Sequence, residues 1–158
     1  MQIKSVGVIG AGTMGNGIAQ VFAATGFQVV LQDLAEEALQ RGVATVTKSL
    51  DRLLKKEKIS EQQKADTLAN IRTVTDMNEL AGVDLVVEAA IEDRDIKSDI
   101  FRQLDQICKP EAILASNTSS ISLTHIASVT ARSDKVIGMH FMNPVPMMNL
   151  VEIVRALQ

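Results

Sequence analysis

His140 and Glu152 are the pair of side chains in this sequence best suited to move a proton. They flank the segment Phe141-Met142-Asn143-Pro144-Val145-Pro146, whose prolines exclude regular helix and stiffen the connection. A loop returning beside its own strand would bring the two together. A carboxylate next to an imidazole fixes its tautomer and stabilises the imidazolium, which suits general acid–base work. A histidine at a strand end also fits a purely structural role, and His125, in a helical stretch with no evident partner, reads as structural. A second polar group, Ser116-Asn117-Thr118-Ser119-Ser120, follows the apolar run Ala112 to Ala115. It could serve as a turn and N-cap for the helical stretch Leu123 to Val129. At the carboxyl end of a strand it could equally face a ligand. Glu92 and Lys97 complete the set, close enough in sequence to meet, and such pairs are usually surface ion pairs. Cys108, at the polar end of a helical segment, is expected to be a buried or inert thiol.

These residues need a scaffold, and the stretch Val6 to Gly15 supplies its plan. Ile3 to Ile9 is apolar enough for a strand buried on both faces of a parallel sheet. Gly10, Gly12 and Gly15 follow in G-x-G-x-x-G spacing, ahead of a helical run to Ala24. Gly10 permits a tight turn, Gly12 lets a pyrophosphate approach the backbone, and Gly15 lets helix and strand pack closely. The helix N-terminus offers N–H groups and the positive end of a dipole to phosphates. A second apolar run, Phe27 to Leu31, ends at Gln32-Asp33, placing a carboxylate about 20 positions after the glycines, where a ribose ligand is expected. That carboxylate would accept from ribose hydroxyls and repel a 2′-phosphate, which indicates NAD in preference to NADP. Asp33 could instead be a loop-entry or capping residue ahead of Ala35.

From Ala35 to about Lys56 the apolar residues Leu39, Val43, Val46, Leu50 and Leu53 recur with helical period. This helix is too long for a minimal crossover and is expected to project beyond the sheet. Its end carries Arg52, Lys55, Lys56 and Lys58, either a solvated helix terminus or a landing site for a polyanionic substrate handle. Ser60-Glu61-Gln62-Gln63 is a plausible capping box for a second helix to Asn70. Further strands are expected at Ile71–Val74, Val83–Ala90, Ala112–Ala115, Lys135–Met139 and Met147–Val154. Helical pieces are expected around Met77–Leu80 and over Asp95–Ile107. Met139, Met142, Met147 and Met148 would fill the core or line an apolar cleft.

The resulting fold class is α/β, a Rossmann-type doubly wound, mostly parallel sheet with a protruding helical pair. One domain is expected over 1–158, with a helix-turn-helix insertion at about 35–70. A chain of 158 residues can bury roughly two-thirds of its unfolded surface. The net charge of −3 argues against nucleic acid as main partner. One cysteine cannot form an internal disulfide, which suggests a reducing, cytoplasmic setting. The first residues run straight into a strand with no leader pattern, and no apolar run is long enough to span a bilayer. No metal site is expected.

Gly10-Ala-Gly-Thr-Met-Gly15, Glu88-Ala-Ala-Ile-Glu92, Ser116-Asn-Thr-Ser-Ser120 and His140-Phe-Met-Asn-Pro-Val-Pro146 together resemble the L-3-hydroxyacyl-CoA dehydrogenase family, in particular its bacterial 3-hydroxybutyryl-CoA branch. The four motifs occur in order over the whole chain. The resemblance implies an NAD-dependent oxidoreductase of fatty-acid and butanoate metabolism acting on acyl-CoA. It implies that Gly10, Gly12, Thr13, Met14, Gly15 and Asp33 hold the adenosine and pyrophosphate side of NAD. Glu92, Lys97 and Asn117 would then hold the nicotinamide half. It places Ser119, His140 and Asn143 against the substrate, Glu152 behind His140, and Ser49 and Lys56 against coenzyme A. Family members continue into a helical C-terminal domain that supplies another substrate contact and most of a homodimer interface. This sequence reads as the cofactor domain without it, so a stand-alone NAD-binding module is the second reading.

Cofactor choice is assigned to Asp33. NAD(H) is expected to bind well ahead of NADP(H), because a carboxylate facing a 2′-phosphate costs several kcal/mol, on the order of 2–4, unless neutralised. Asp33→Ser should narrow the gap. Calorimetric titration with both cofactors checks this, and equal affinity of the unmodified protein for both would overturn the assignment.

Overall fold

The computed structural model describes residues 1–157. Six strands run parallel: β1 (Ser5–Ile9), β2 (Gln28–Gln32), β3 (Ile71–Val74), β4 (Leu85–Glu88), β5 (Ile113–Ser116) and β6 (Val136–Phe141). A seventh, β7 (Val151–Arg155), returns antiparallel beside β6. The order across the sheet is β3-β2-β1-β4-β5-β6-β7. The chain thus starts in the middle, winds outward to β3, then crosses to β4 and winds the other way. Where the winding reverses, between the carboxyl ends of β1 and β4, connections leave in opposite directions and a crevice opens.

Five helices are present among the described residues: α1 (Thr13–Ala24), α2 (Glu36–Lys55), α3 (Glu61–Ala69), α4 (Arg94–Ile107) and α5 (Leu123–Ser128). On one face Ile18, Ala19 and Leu39 pack on Val6, Val8, Leu31 and Val87. On the other Ile100, Phe101, Leu104 and Ile126 pack on Ile9, Val86 and Leu114. With helices on both faces, the inner strands are apolar nearly throughout, as their sequences indicate.

The turn from β1 into α1 depends on two glycines. Gly10 has φ +95, and a Cβ there would lie 2.7 Å from the Ala89 carbonyl oxygen of the neighbouring strand's end. At Gly15 a Cβ would run into the carbonyl oxygen of Gly10 itself, so the helix can sit this tightly on its own strand only with hydrogen there. The α2–α3 pair forms as its sequence indicates. Ser60 Oγ accepts from Gln63 N at 3.1 Å while Gln63 Oε1 accepts from Ser60 N at 2.7 Å. Asp51 and Lys64 tie the two helices together at 2.5 Å.

Three expectations need correction. The last strand begins at Val151, not Met147, because Val145–Met147 forms a turn of 3₁₀ helix. Pro144 and Pro146 cannot donate to a ladder, and their fixed φ suits that turn instead. His125 does have a partner: its Nε2 lies 3.3 Å from Ser98 Oγ on α4. The Glu92–Lys97 pair is not a surface pair, as described below. Cys108 is buried as expected, and burial pushes its thiol up to about 11. At the far end of the sheet Asp84 accepts from Lys109 Nζ (2.5 Å) and from the Lys4 and Ser5 backbone N–H groups, which hold its carboxyl well below the usual range. No described helix is long and apolar enough to cross a membrane.

Gly15→Ala should therefore destabilise the fold although alanine is the better helix former, because backbone on both sides of the contact must shift. A loss of about 3 kcal/mol in urea denaturation is expected. Gly12→Ala, where an added Cβ meets nothing within 4 Å, should leave stability nearly unchanged.

Candidate cofactor and substrate site

The crevice begins at Gly12, the N-cap of α1, which has no side-chain cap, and the helix carries no acidic residue in its first turn. Thr13 and Met14 open that turn, exposed and half-buried. The empty space over Gly12 and the bare helix end form a cradle that fits a pyrophosphate. Asp33, just past β2, reaches back into it. Its Oδ2 accepts from Ala11 N at 2.9 Å and its Oδ1 from Ala35 N at 3.2 Å. The carboxylate thus fixes the glycine loop and the start of the next connection, while α2 itself is capped by Ala35 without a side-chain bond. A cavity of about 360 Å³ opens beside it, walled by Leu34, Met77, Ile91 and Ile96, with Gly10 and Asp33 at its edge. Leu34 and Ile91 stand exposed on the rim. Apolar walls with one carboxylate suit a flat base and its ribose.

At the carboxyl ends of β4 and β5 the side chains form a closed polar ring. The parallel register sets Glu88 beside Ser116, so both leave the sheet on one face. Ser116 Oγ donates to Glu88 Oε1 at 2.7 Å. Glu88 Oε2 accepts from Ala90 N at 2.7 Å and Lys97 Nζ at 2.5 Å. Glu88 is 0 % and Lys97 2 % exposed. The Lys97 ammonium also donates to the Ala90 carbonyl and lies 3.7 Å from Glu92 Oε1. Glu92 Oε1 accepts from Thr118 Oγ1 at 2.6 Å, and Thr118 N donates back to Ser116 Oγ. The partner of Lys97 is therefore Glu88, which the sequence reading left without a role. A lone carboxylate closing an otherwise apolar strand was the available signal, since a buried charge needs a counter-charge. Asn117 is a connector: its Oδ1 accepts from Phe141 N at 2.8 Å, joining the end of β5 to β6.

Beyond this ring lies the imidazole–carboxylate pair. His140 and Glu152 are directly opposite in the β6–β7 ladder, with Nδ1 3.5 Å from Oε2. Both line a cavity of about 310 Å³ with Thr118, Ser119, Ser120 and Arg155. With Nδ1 turned to the carboxylate, Nε2 is the nitrogen left for a ligand. The structure does not bring every candidate here. Asn143 stands exposed on the loop after β6 and is not among that cavity's walls. Ser49 and Lys56 remain on the helical pair: Ser49 Oγ accepts from Gln20 Nε2 at 3.0 Å, and Lys56 is exposed at the end of α2. No three described His, Cys, Asp or Glu residues are grouped to hold a metal.

A doubly wound sheet with a glycine-lined crevice at its switch point and a carboxylate after β2 defines a Rossmann-type dinucleotide-binding domain. Residues 5–158 match the family described as 3-hydroxyacyl-CoA dehydrogenase, NAD binding domain, and the chain belongs to that family. It is 49 % identical over 155 residues to a 3-hydroxybutyryl-CoA dehydrogenase of Bradyrhizobium diazoefficiens, covering 98 % of this chain and 53 % of that protein. It is 53 % identical over 152 residues to a probable 3-hydroxybutyryl-CoA dehydrogenase of Deinococcus radiodurans, covering 96 % and 54 %. The crystal structure of (S)-3-hydroxybutyryl-CoA dehydrogenase from Ralstonia eutropha superposes with TM-score 0.97 at 55 % identity, over 99 % of this chain and 56 % of that one. The chain spans about half the length of the curated relatives it matches.

The buried pair generates a stability prediction. Glu88→Gln leaves the Lys97 ammonium out of water without its counter-charge and should lower the unfolding free energy by about 3 kcal/mol. Urea denaturation measures this, and an unchanged midpoint would show that the pair contributes little.

Proposed function

We propose that this chain is the cofactor-binding half of an enzyme interconverting (S)-3-hydroxyacyl-CoA and 3-ketoacyl-CoA, with 3-hydroxybutyryl-CoA and acetoacetyl-CoA as the leading pair. The observation that carries this is the His140–Glu152 pair, facing a cavity it shares with Ser119 at the carboxyl edge of the sheet that holds the NAD crevice. Gly10, Gly12, Thr13, Met14, Gly15 and Asp33 would hold the adenosine and pyrophosphate side, and Glu92, Lys97 and Asn117 the nicotinamide half. NAD bound there would supply a hydride acceptor in the oxidative direction and a hydride donor in the reverse.

The protein's own part is acid–base and electrostatic. His140 Nε2 takes the proton of the 3-hydroxyl as its carbon gives up hydride. Glu152, close to Nδ1, stabilises the imidazolium that forms. A positioned base of this kind is worth roughly 10²–10⁴-fold. Ser119 would hold the oxygen on which charge develops, with Asn143 as a second substrate contact. Ser49, Lys56 and the cations around it would take the coenzyme A handle, giving mostly uniform binding. A reducing cytoplasm suits the single unpaired cysteine, and a homodimer is the assembly expected of the longer protein.

The second reading, an NAD-binding module without turnover, is favoured by one feature. The five residues of β7 are all exposed, Ile153 at 59 %, so the side of the site formed by this strand is open. An open site leaves the acyl group wet and loosely placed, which costs rate.

Oxidation of NADH with acetoacetyl-CoA separates the two readings. The chain alone should turn over slowly, and fusion to the C-terminal half of a relative should raise the rate far more than the cofactor affinity. In the fusion, His140→Gln should lower kcat by roughly 10²–10⁴-fold with NAD affinity nearly unchanged. Near-normal turnover in that variant would assign the base elsewhere. A fusion that binds NAD but transfers no hydride would favour the module.

A further inference from the structure

We infer that Thr118 is a positioning residue shared by both ligands: its one hydroxyl aims Glu92 at the nicotinamide half of NAD and pins the turn that carries Ser119. The inference rests on the reading of the crevice and cavity given above, and adds to it a buried residue between them, on the wall of the His140 cavity.

The geometry uses that hydroxyl completely. A threonine hydroxyl has one proton to donate and two lone pairs to accept with. The proton goes to Glu92 Oε1 at 2.6 Å, and the lone pairs receive Ser120 N at 3.3 Å and Ile121 N at 3.0 Å. Thr118 N is itself held by Ser116 Oγ, which is anchored on buried Glu88. Thr118 is buried, whereas the side chain of Glu92 is 44 % exposed and Ser119 and Ser120 are exposed. One buried oxygen therefore fixes two exposed groups. On one side it restrains, by a closer contact than the Lys97 ammonium at 3.7 Å, a half-exposed carboxylate. On the other it closes residues 118–121 into a turn, which sets the direction in which Ser119 faces the His140 cavity. Holding groups in place before binding removes an ordering cost from each ligand.

Three versions of the chain test this: unmodified, Thr118→Val, which keeps the shape and removes the hydroxyl, and Thr118→Ser, which keeps the hydroxyl. Each is titrated with NADH, with ADP, which lacks the nicotinamide half, and with acetoacetyl-CoA. Thr118→Val should weaken NADH and acetoacetyl-CoA about tenfold each, as expected for losing a hydrogen bond to a charged group. ADP affinity should be unchanged, which also shows the variant to be folded. Thr118→Ser should restore both ligands to within about twofold. Glu92→Ala should weaken NADH alone. Unmodified affinity for NADH or for acetoacetyl-CoA in Thr118→Val would overturn the inference, as would a Thr118→Ser variant as weak as the valine. A loss of ADP binding in step with NADH would show general disruption and overturn it too. If the unmodified chain binds NADH no better than ADP, or binds no acetoacetyl-CoA, the reading of the site fails first, whatever Thr118 does.

Discussion

The ammonium of Lys97 and the carboxylate of Glu88 meet out of reach of water, and much of the molecule is arranged so that they can. Removing two charges from solvent is costly, and their attraction offsets that only when the remaining bonding capacity of both is filled. Here Ser116 and Ala90 fill the carboxylate, the Ala90 carbonyl takes a second proton of the ammonium, and Glu92 adds a more distant charge. Each partner comes from a different place: the ends of β4 and β5, the loop after β4, and the first turns of α4. An ion pair that must be completed by so many elements penalises any misplacement of them. Its location is telling, because these are the segments that border the cofactor crevice on one side and the serine turn on the other.

The two pairs of titratable side chains bordering the site are built on opposite terms. The Glu88–Lys97 cluster is dry and saturated, suited to holding a shape. His140 and Glu152 are 29 % and 55 % exposed at the side chain, and their contact of 3.5 Å is loose. Rigid support lies underneath, and the exposed pair lies at the rim. The exposed face of β7 continues that rim, with Leu150, Ile153 and Leu157 uncovered beside it.

Much of the scaffold was legible because its signals are local. The glycine spacing, the apolar runs of the inner strands and the Ser60–Gln63 box each specify backbone geometry within a few residues. The place of Asp33 beside the glycine turn was legible by its distance from the glycines. Its bond to Ala11 was not, since that depends on how close α1 sits to its strand. Glu88 was overlooked because a strand end bordered by apolar residues gives no hint of which helix supplies its counter-charge. Likewise the Asn117–Phe141 bond and the His125–Ser98 contact join segments 24 and 27 positions apart. The start of β7 was misplaced for a simpler reason: an apolar sequence from Met147 looks like a strand, and only the tight turn made by the two prolines delays it.

The antiparallel return of β7 has a consequence for what this loop can tolerate. His140 faces Glu152 because the ladder pairs Phe141 with Val151, and everything between is spent on the turn. Side chains alternate along a strand, so removing a single loop residue while keeping the strands would set His140 opposite Ile153 and send Glu152 to the other face. The length of the segment from Met142 to Leu150 is thereby constrained as well as its composition, in which Val145 is buried against α1. The number of residues in that loop, counted out by the sheet, is what keeps His140 opposite Glu152.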